Sequence, residues 1–183
     1  MSNFVQSTMN GFEMVLLRRN VMAEQQTREE PLRTIIERIR GARSEPLLLT
    51  SLIDEYEREF GPEANEEVLD ILGRDTRDSW AEIARTRKNN SIEDLLDTLW
   101  KRFGKAGGKF TVKREGGVVK IHCTRCPMAD TYKSIGRQEY GLIFHCSTDP
   151  YIVQGFNDRI AFQISKRLMS GDDCCDHSYS MNG

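Results

Sequence analysis

The spacing of apolar residues changes once along this chain, close to Gly104. Before that point apolar residues recur at helical intervals, as in Ile92, Leu95, Leu96 and Leu99. After it apolar and polar residues alternate, which is the period of a half-buried strand. The change predicts an α+β fold in which an N-terminal helical segment packs on a small antiparallel sheet with short helices.

The same change suggests how the chain is organised. We expect residues 1–10 to form a disordered N-terminus, residues 11–105 a helical segment, and residues 106–183 a cysteine-bearing α+β unit. A chain of 183 residues has the length of one ordinary domain. We therefore expect the second and third segments to form one cooperative domain.

Local signals place individual elements. Ser91 and Asp94 have the spacing of a capping box, which starts a helix that reaches Phe103. Gly73 interrupts residues 63–85 and predicts a kink or a split there. Alternating stretches and glycine turns predict a hairpin of residues 109–113 and 118–123, further strands at 160–168 and 174–181, and short helices at 128–135 and 138–144.

Charge and hydropathy exclude several classes of function. The 26 basic and 28 acidic residues are interleaved, so no basic face for nucleic acid is predicted. No apolar run is long enough to cross a bilayer, and the N-terminus lacks the pattern of a secretory signal. We expect a cytoplasmic protein that acts on a small molecule. A homodimer formed through the N-terminal helices is an open alternative to a monomer.

Cysteine and histidine occur only in the last third of the chain. An odd number of cysteines in a reducing compartment favours free thiols or metal ligands over a disulfide framework. The residues are Cys123, Cys126, Cys146, Cys174 and Cys175, with His122, His145 and His177 beside them.

Two of these cysteines have neighbours that suggest reactivity. Cys126 precedes Pro127, so it would stand at the N-cap of a helix, where free N–H groups stabilise a thiolate. Cys146 precedes Asp149 by three residues, which on a helical turn lets the carboxylate face the sulfur. A buried structural cysteine, with Asp149 capping a helix at Pro150, is the alternative.

Strand parity governs the last cluster. Adjacent residues of a strand point to opposite faces, so only one of Cys174 and Cys175 can share a pocket with the other cysteines. His177 falls on the same face as Cys175. A strand start with one thiol in the core is the alternative.

Taken together, the motifs resemble the L-2-amino-thiazoline-4-carboxylic acid hydrolase family over roughly residues 60–181. They are Cys126-Pro127, Cys146 with Asp149, Phe156-Asn157, and Gly171 with Cys175-Asp176. The C-terminal pattern is also similar to ligand-binding domains of the four-vinyl-reductase type. The resemblance implies a hydrolase that opens a cyclic isothiourea made from cysteine, giving N-carbamoyl-cysteine, with family positions at Cys126, Cys146, Asp149 and Cys175. His177 stands where the family has an aromatic residue, and Cys123 and Cys174 are additional.

Three hypotheses follow. In the first, the thiolate of Cys146 or Cys126 attacks a small cyclic C=N substrate of the amidine or isothiourea type, Asp149 moves protons, and His122, His145 or His177 is the general acid. In the second, zinc or an iron–sulfur cluster is held by Cys123, Cys126, Cys146 and Cys175, with His177 as an alternative fourth ligand to Cys123. In the third, the chain is a non-catalytic ligand-binding module whose thiols are buried in the core.

Overall fold

The computed structural model describes residues 34, 35, 37–39, 41, 42, 45–62 and 64–182. The chain divides into two compact units, Met1–Gly41 and Ala42–Gly183. The described residues of the first unit are helical, and the predicted disorder of residues 1–10 lies outside the described part. The other described residues, 42, 45–62 and 64–182, belong to the second unit.

Six α-helices and two single turns of 3₁₀-helix make up the helical part of this unit. The helices are α1 (Pro46–Phe60), α2 (Ala64–Arg85), α3 (Ile92–Lys105), α4 (Pro127–Ser134), α5 (Gln138–Phe144) and α6 (Asp149–Phe156), and the turns are Cys146–Thr148 and Leu168–Ser170. Across the described ranges, no helix has the length and apolar content that a bilayer span requires.

Four strands form one antiparallel sheet in the order β1-β2-β4-β3. They are β1 (Lys109–Glu115), β2 (Val118–Arg125), β3 (Ile160–Lys166) and β4 (Cys175–Met181). The sheet and the helices together confirm the predicted α+β fold.

The capping box at the start of α3 is present as predicted. The Ser91 side chain accepts the amide of Asp94, and the Asp94 carboxylate accepts the amide of Ser91. Of the predicted kink or split at Gly73, the split is wrong, because α2 continues through this position. A side chain at Gly73 would stand 2.5 Å from the Tyr151 ring, so the glycine permits a close approach of α6 to α2.

One face of the sheet is covered by helices, and the other is polar. In β2, Val119, Ile121 and Cys123 are buried while His122 and Thr124 are exposed. The covering layer includes α3, whose Trp100 indole N–H donates to the Tyr179 hydroxyl of β4 at 3.0 Å. Helix α6 packs against both α2 and β3.

Candidate functional site

A cavity of about 350 Å³ lies between the buried face of the sheet and the helices. Its wall contains the predicted catalytic residues, apart from His122, one of the three candidate general acids. These are Cys126, Cys146, Asp149, Cys175 and His177, and Cys123 joins them. Sulfurs from separate segments of the chain are therefore brought to one cavity.

Strand register explains how the sheet contributes three of these side chains. Cys123 of β2 lies directly opposite Cys175 of β4, and His177 lies opposite Ile121. Since side chains of one parity share a face, Cys175 and His177 both point into the cavity. Cys174 does not line it, in agreement with the parity argument.

Cys175 has the surroundings of a thiolate. Its sulfur accepts the Leu168 amide at 3.2 Å and lies beside the His177 imidazole and the Cys123 thiol. These interactions outweigh burial and lower the pKa of Cys175 to about 5. The Cys123 thiol donates to the Arg125 carbonyl at 3.2 Å. The interaction with Cys175 and burial raise the pKa of Cys123. Of these two cysteines, Cys123 therefore keeps its proton.

Cys126 occupies the N-cap of α4, as predicted. The amides of Ala129 and Met128 point toward its sulfur and favour the thiolate, but burial outweighs them and raises the pKa of Cys126. The helix terminus therefore lowers the pKa of Cys126 by less than burial raises it.

Cys146 and Asp149 both line the cavity. Cys146 is the first residue of a 3₁₀-turn and Asp149 the first residue of α6. Burial and the nearby Asp149 carboxylate raise the pKa of Cys146, so this sulfur is a thiol beside a carboxylate. The alternative in which Asp149 caps a helix at Pro150 is not what the structure shows, because Thr148 is the N-cap.

The three histidines have different positions. His177 lines the cavity, and its Nδ1 is buried without a hydrogen-bond partner. His145 also lines the cavity, and its Nε2 lies 3.2 Å from the Tyr132 hydroxyl. His122 lies on the polar face of the sheet, where its Nδ1 is 2.7 Å from Asp176. Of the three candidate general acids, His122 is thus the one placed away from the cavity.

The four cysteines proposed as metal ligands surround the cavity rather than one point in it. Among the described residues, one group of three possible metal ligands has all its donor atoms within 4.8 Å of one another. The group is His122, Cys174 and Asp176. That group lies elsewhere. The four cavity cysteines thus do not form a group of this kind among the described residues.

Sequence reasoning missed the aromatic wall of the cavity. Five Trp, Phe and Tyr rings line it: Trp80, Trp100, Phe103, Phe162 and Tyr179. The first three of these belong to helices α2 and α3. The only sequence signal for them was the apolar stripe of α3. Such a stripe indicates that one helix face is buried, but it does not identify the element or cavity that this face contacts. Of the Phe156-Asn157 motif, Phe156 is core and the Asn157 amide donates to the Asn90 carbonyl at 2.8 Å, so the pair supports the fold.

Comparison with known proteins places the chain in a family. The sequence model described as L-2-amino-thiazoline-4-carboxylic acid hydrolase matches residues 41–179, about three quarters of the chain. No curated protein matches the chain. The matched range includes all the cavity residues named above. The resemblance predicted from the cysteine motifs is confirmed, and the chain belongs to the L-2-amino-thiazoline-4-carboxylic acid hydrolase family.

Proposed function

We propose that this protein hydrolyses a small cyclic isothiourea or amidine, with Cys175 as the nucleophile. The observation that carries the proposal is the place of the Cys175 sulfur in the cavity wall, beside His177 and accepting the Leu168 amide at 3.2 Å. In these surroundings its pKa is lowered, unlike that of the other cavity cysteines. A thiolate is the reactive form of cysteine. Cys175 takes precedence over Cys146 and Cys126, the two nucleophiles predicted from the sequence, because burial raises the pKa of both.

In the first step the Cys175 sulfur adds to the ring carbon that carries the C=N bond. The ring C–S bond then breaks, and the departing sulfur takes a proton from His177 to become a thiol. In the second step Asp149 accepts a proton from a water whose oxygen attacks the same carbon. The C–S bond to Cys175 breaks and the thiolate is restored, while the proton of the added hydroxyl moves to the former ring nitrogen and the carbon leaves as a carbonyl. The proton on Asp149 then returns through solvent to His177, so the net change is the addition of one water.

The cavity wall supports a flat, cationic substrate. Trp80, Trp100 and Phe162 provide aromatic faces, and Asp149 provides a carboxylate. No lysine or arginine is among the described residues that line it. Aromatic faces and a carboxylate attract a protonated amidine, whereas a carboxylate on the substrate ring would find no basic side chain in the wall itself. The Arg167 guanidinium, whose charge acts on Cys146, is not among the residues that line it.

We therefore expect 2-amino-2-thiazoline to be a better substrate than its 4-carboxylate. The expected ratio of kcat/KM is about tenfold, which corresponds to ~1.4 kcal/mol. Thiol release under matched conditions measures both rates. A higher kcat/KM for the 4-carboxylate would show that a basic side chain outside this wall binds the carboxylate group. Failure to open either ring would contradict the proposed reaction.

Alkylation tests the thiolate without needing a substrate. At about pH 6 iodoacetamide should modify Cys175 first, since its pKa of about 5 leaves it mostly ionised, while Cys126 and Cys146 remain protonated. The rate at Cys175 should rise as pH increases through 5 and then level off. An ordinary thiol would continue to gain reactivity up to about pH 9.

Peptide mass mapping identifies the modified residue, and free cysteine in the same tube serves as the reference. Faster modification of Cys126 or Cys146 would contradict the assignment. Protection of every cavity thiol would instead favour the non-catalytic module, in which the sulfurs are inert core atoms.

A further inference from the structure

Cys174 has no role in the cavity, yet its surroundings are unusual for a core cysteine. Its residue surface is only 2% exposed. Its sulfur lies 3.4 Å from a carboxylate oxygen of Asp173 and within 4.8 Å of donor atoms of His122 and Asp176. A buried cysteine of the ordinary kind packs among apolar groups. This one lies among a carboxylate pair and an imidazole.

Strand pairing holds two of these groups in place. His122 of β2 and Asp176 of β4 are direct partners in the antiparallel register, and their side chains share the polar face of the sheet. Cys174 comes from the turn immediately before β4. The donor atoms are therefore positioned by backbone that the sheet fixes, on the face opposite the cavity.

We propose that His122, Cys174 and Asp176 bind a divalent transition metal ion of the zinc type. Imidazole nitrogen, thiolate sulfur and carboxylate oxygen are the three donors that zinc accepts in proteins, at distances of about 2.0 to 2.3 Å. Three donors within 4.8 Å of one another can close on such an ion by side-chain rotation. The fourth position is left for water or for the Asp173 carboxylate, which now pairs with Lys166 at 2.9 Å.

The simpler explanation is an exposed ion pair between His122 and Asp176, 2.7 Å apart. A pair of this kind contributes about 0 to 1 kcal/mol and needs no third group. It does not account for a shielded thiol placed against the same two side chains. Binding the ion requires the Cys174 thiol to lose its proton and the coordinating nitrogen of His122 to carry none, and no redox step is involved.

Cobalt(II) is a suitable probe because a cobalt–thiolate bond absorbs in the near ultraviolet. We expect the anaerobic full-length protein to bind one equivalent with that absorption. Cys174→Ser should abolish the band, and His122→Ala should weaken binding at least about tenfold. Zinc should displace the cobalt and raise the Tm of the wild-type protein but not of the His122→Ala variant.

Cys146→Ser is the matched control, since it removes a sulfur from the other side of the sheet and should leave the band intact. Absence of the band in the wild-type protein would overturn the proposal. So would a band that survives Cys174→Ser and disappears in Cys146→Ser, because the metal would then sit in the cavity. Neither outcome depends on whether the protein hydrolyses the proposed substrates.

Discussion

Replacing Cys175 by serine should lower kcat for ring opening by about a thousandfold or more, with the fold retained. A serine hydroxyl has no ionised form near neutral pH, so the nucleophile of the first step is lost. The size of the effect follows from removal of a covalent nucleophile, which in enzymes of this type costs several orders of magnitude. The Cys123 thiol and the Leu168 amide would then face an uncharged oxygen.

Ser178→Ala is the control for this variant, because residue 178 lies on the same strand but belongs to the opposite parity and faces away from the cavity. It should keep full activity. Cys146→Ser should cause a smaller loss than Cys175→Ser. If Cys146→Ser were the inactive variant and Cys175→Ser remained active, the nucleophile would be Cys146, one of the two that the sequence predicted.

Local signals were sufficient for much of the fold. The capping box at Ser91 fixes the start of α3 through contacts three residues apart. Gly116 and Gly117 both have positive φ, 57° and 80°, which makes them the natural turn of the β1–β2 hairpin. The parity of Cys175 and His177 is equally local, because it needs only the period of a strand. Each of these predictions depends on neighbours in sequence.

The assignment of the reactive thiol depends on distant neighbours. Cys126 has the favourable local position, a helix N-cap, and the sequence could not show that burial would outweigh it. Cys175 has no such local advantage. Its lowered pKa arises first from Cys123, which the β2–β4 register brings opposite, and then from the imidazole of His177 and the Leu168 amide.

Gly73 and Gly155 show the same limit for helix packing. A glycine within a helical pattern suggests a weak point when only propensity is considered. In the structure both lie at the contact of α2 with α6. A Cβ at Gly73 would meet the Tyr151 ring, and one at Gly155 would stand 2.1 Å from the Arg77 carbonyl oxygen. The partners are distant in sequence, so the sequence pattern alone does not reveal them.

Gly155→Ala should therefore destabilise the protein, although alanine is the better helix former. Helix propensity alone would favour the substitution by about 1 kcal/mol. The new methyl group, however, would overlap the backbone of Arg77, which cannot move aside as a flexible side chain can. Overpacking of this kind costs about 1 to 3 kcal/mol, and a contact with backbone lies at the upper end. We expect a net loss of about 2 kcal/mol in the free energy of unfolding, measured from the denaturant midpoint.

Gly104→Ala is the matched control, because it also lies in a helix but its Cβ would meet only the Phe110 ring at 3.4 Å. That variant should be as stable as the wild type or up to about 1 kcal/mol more stable. Displacement of α6 also moves Asp149, its first residue, so Gly155→Ala should lower kcat even at temperatures where it remains folded. A Gly155→Ala protein with wild-type stability would show that α6 does not rest on the Arg77 carbonyl, and the position assigned to Asp149 would lose its support.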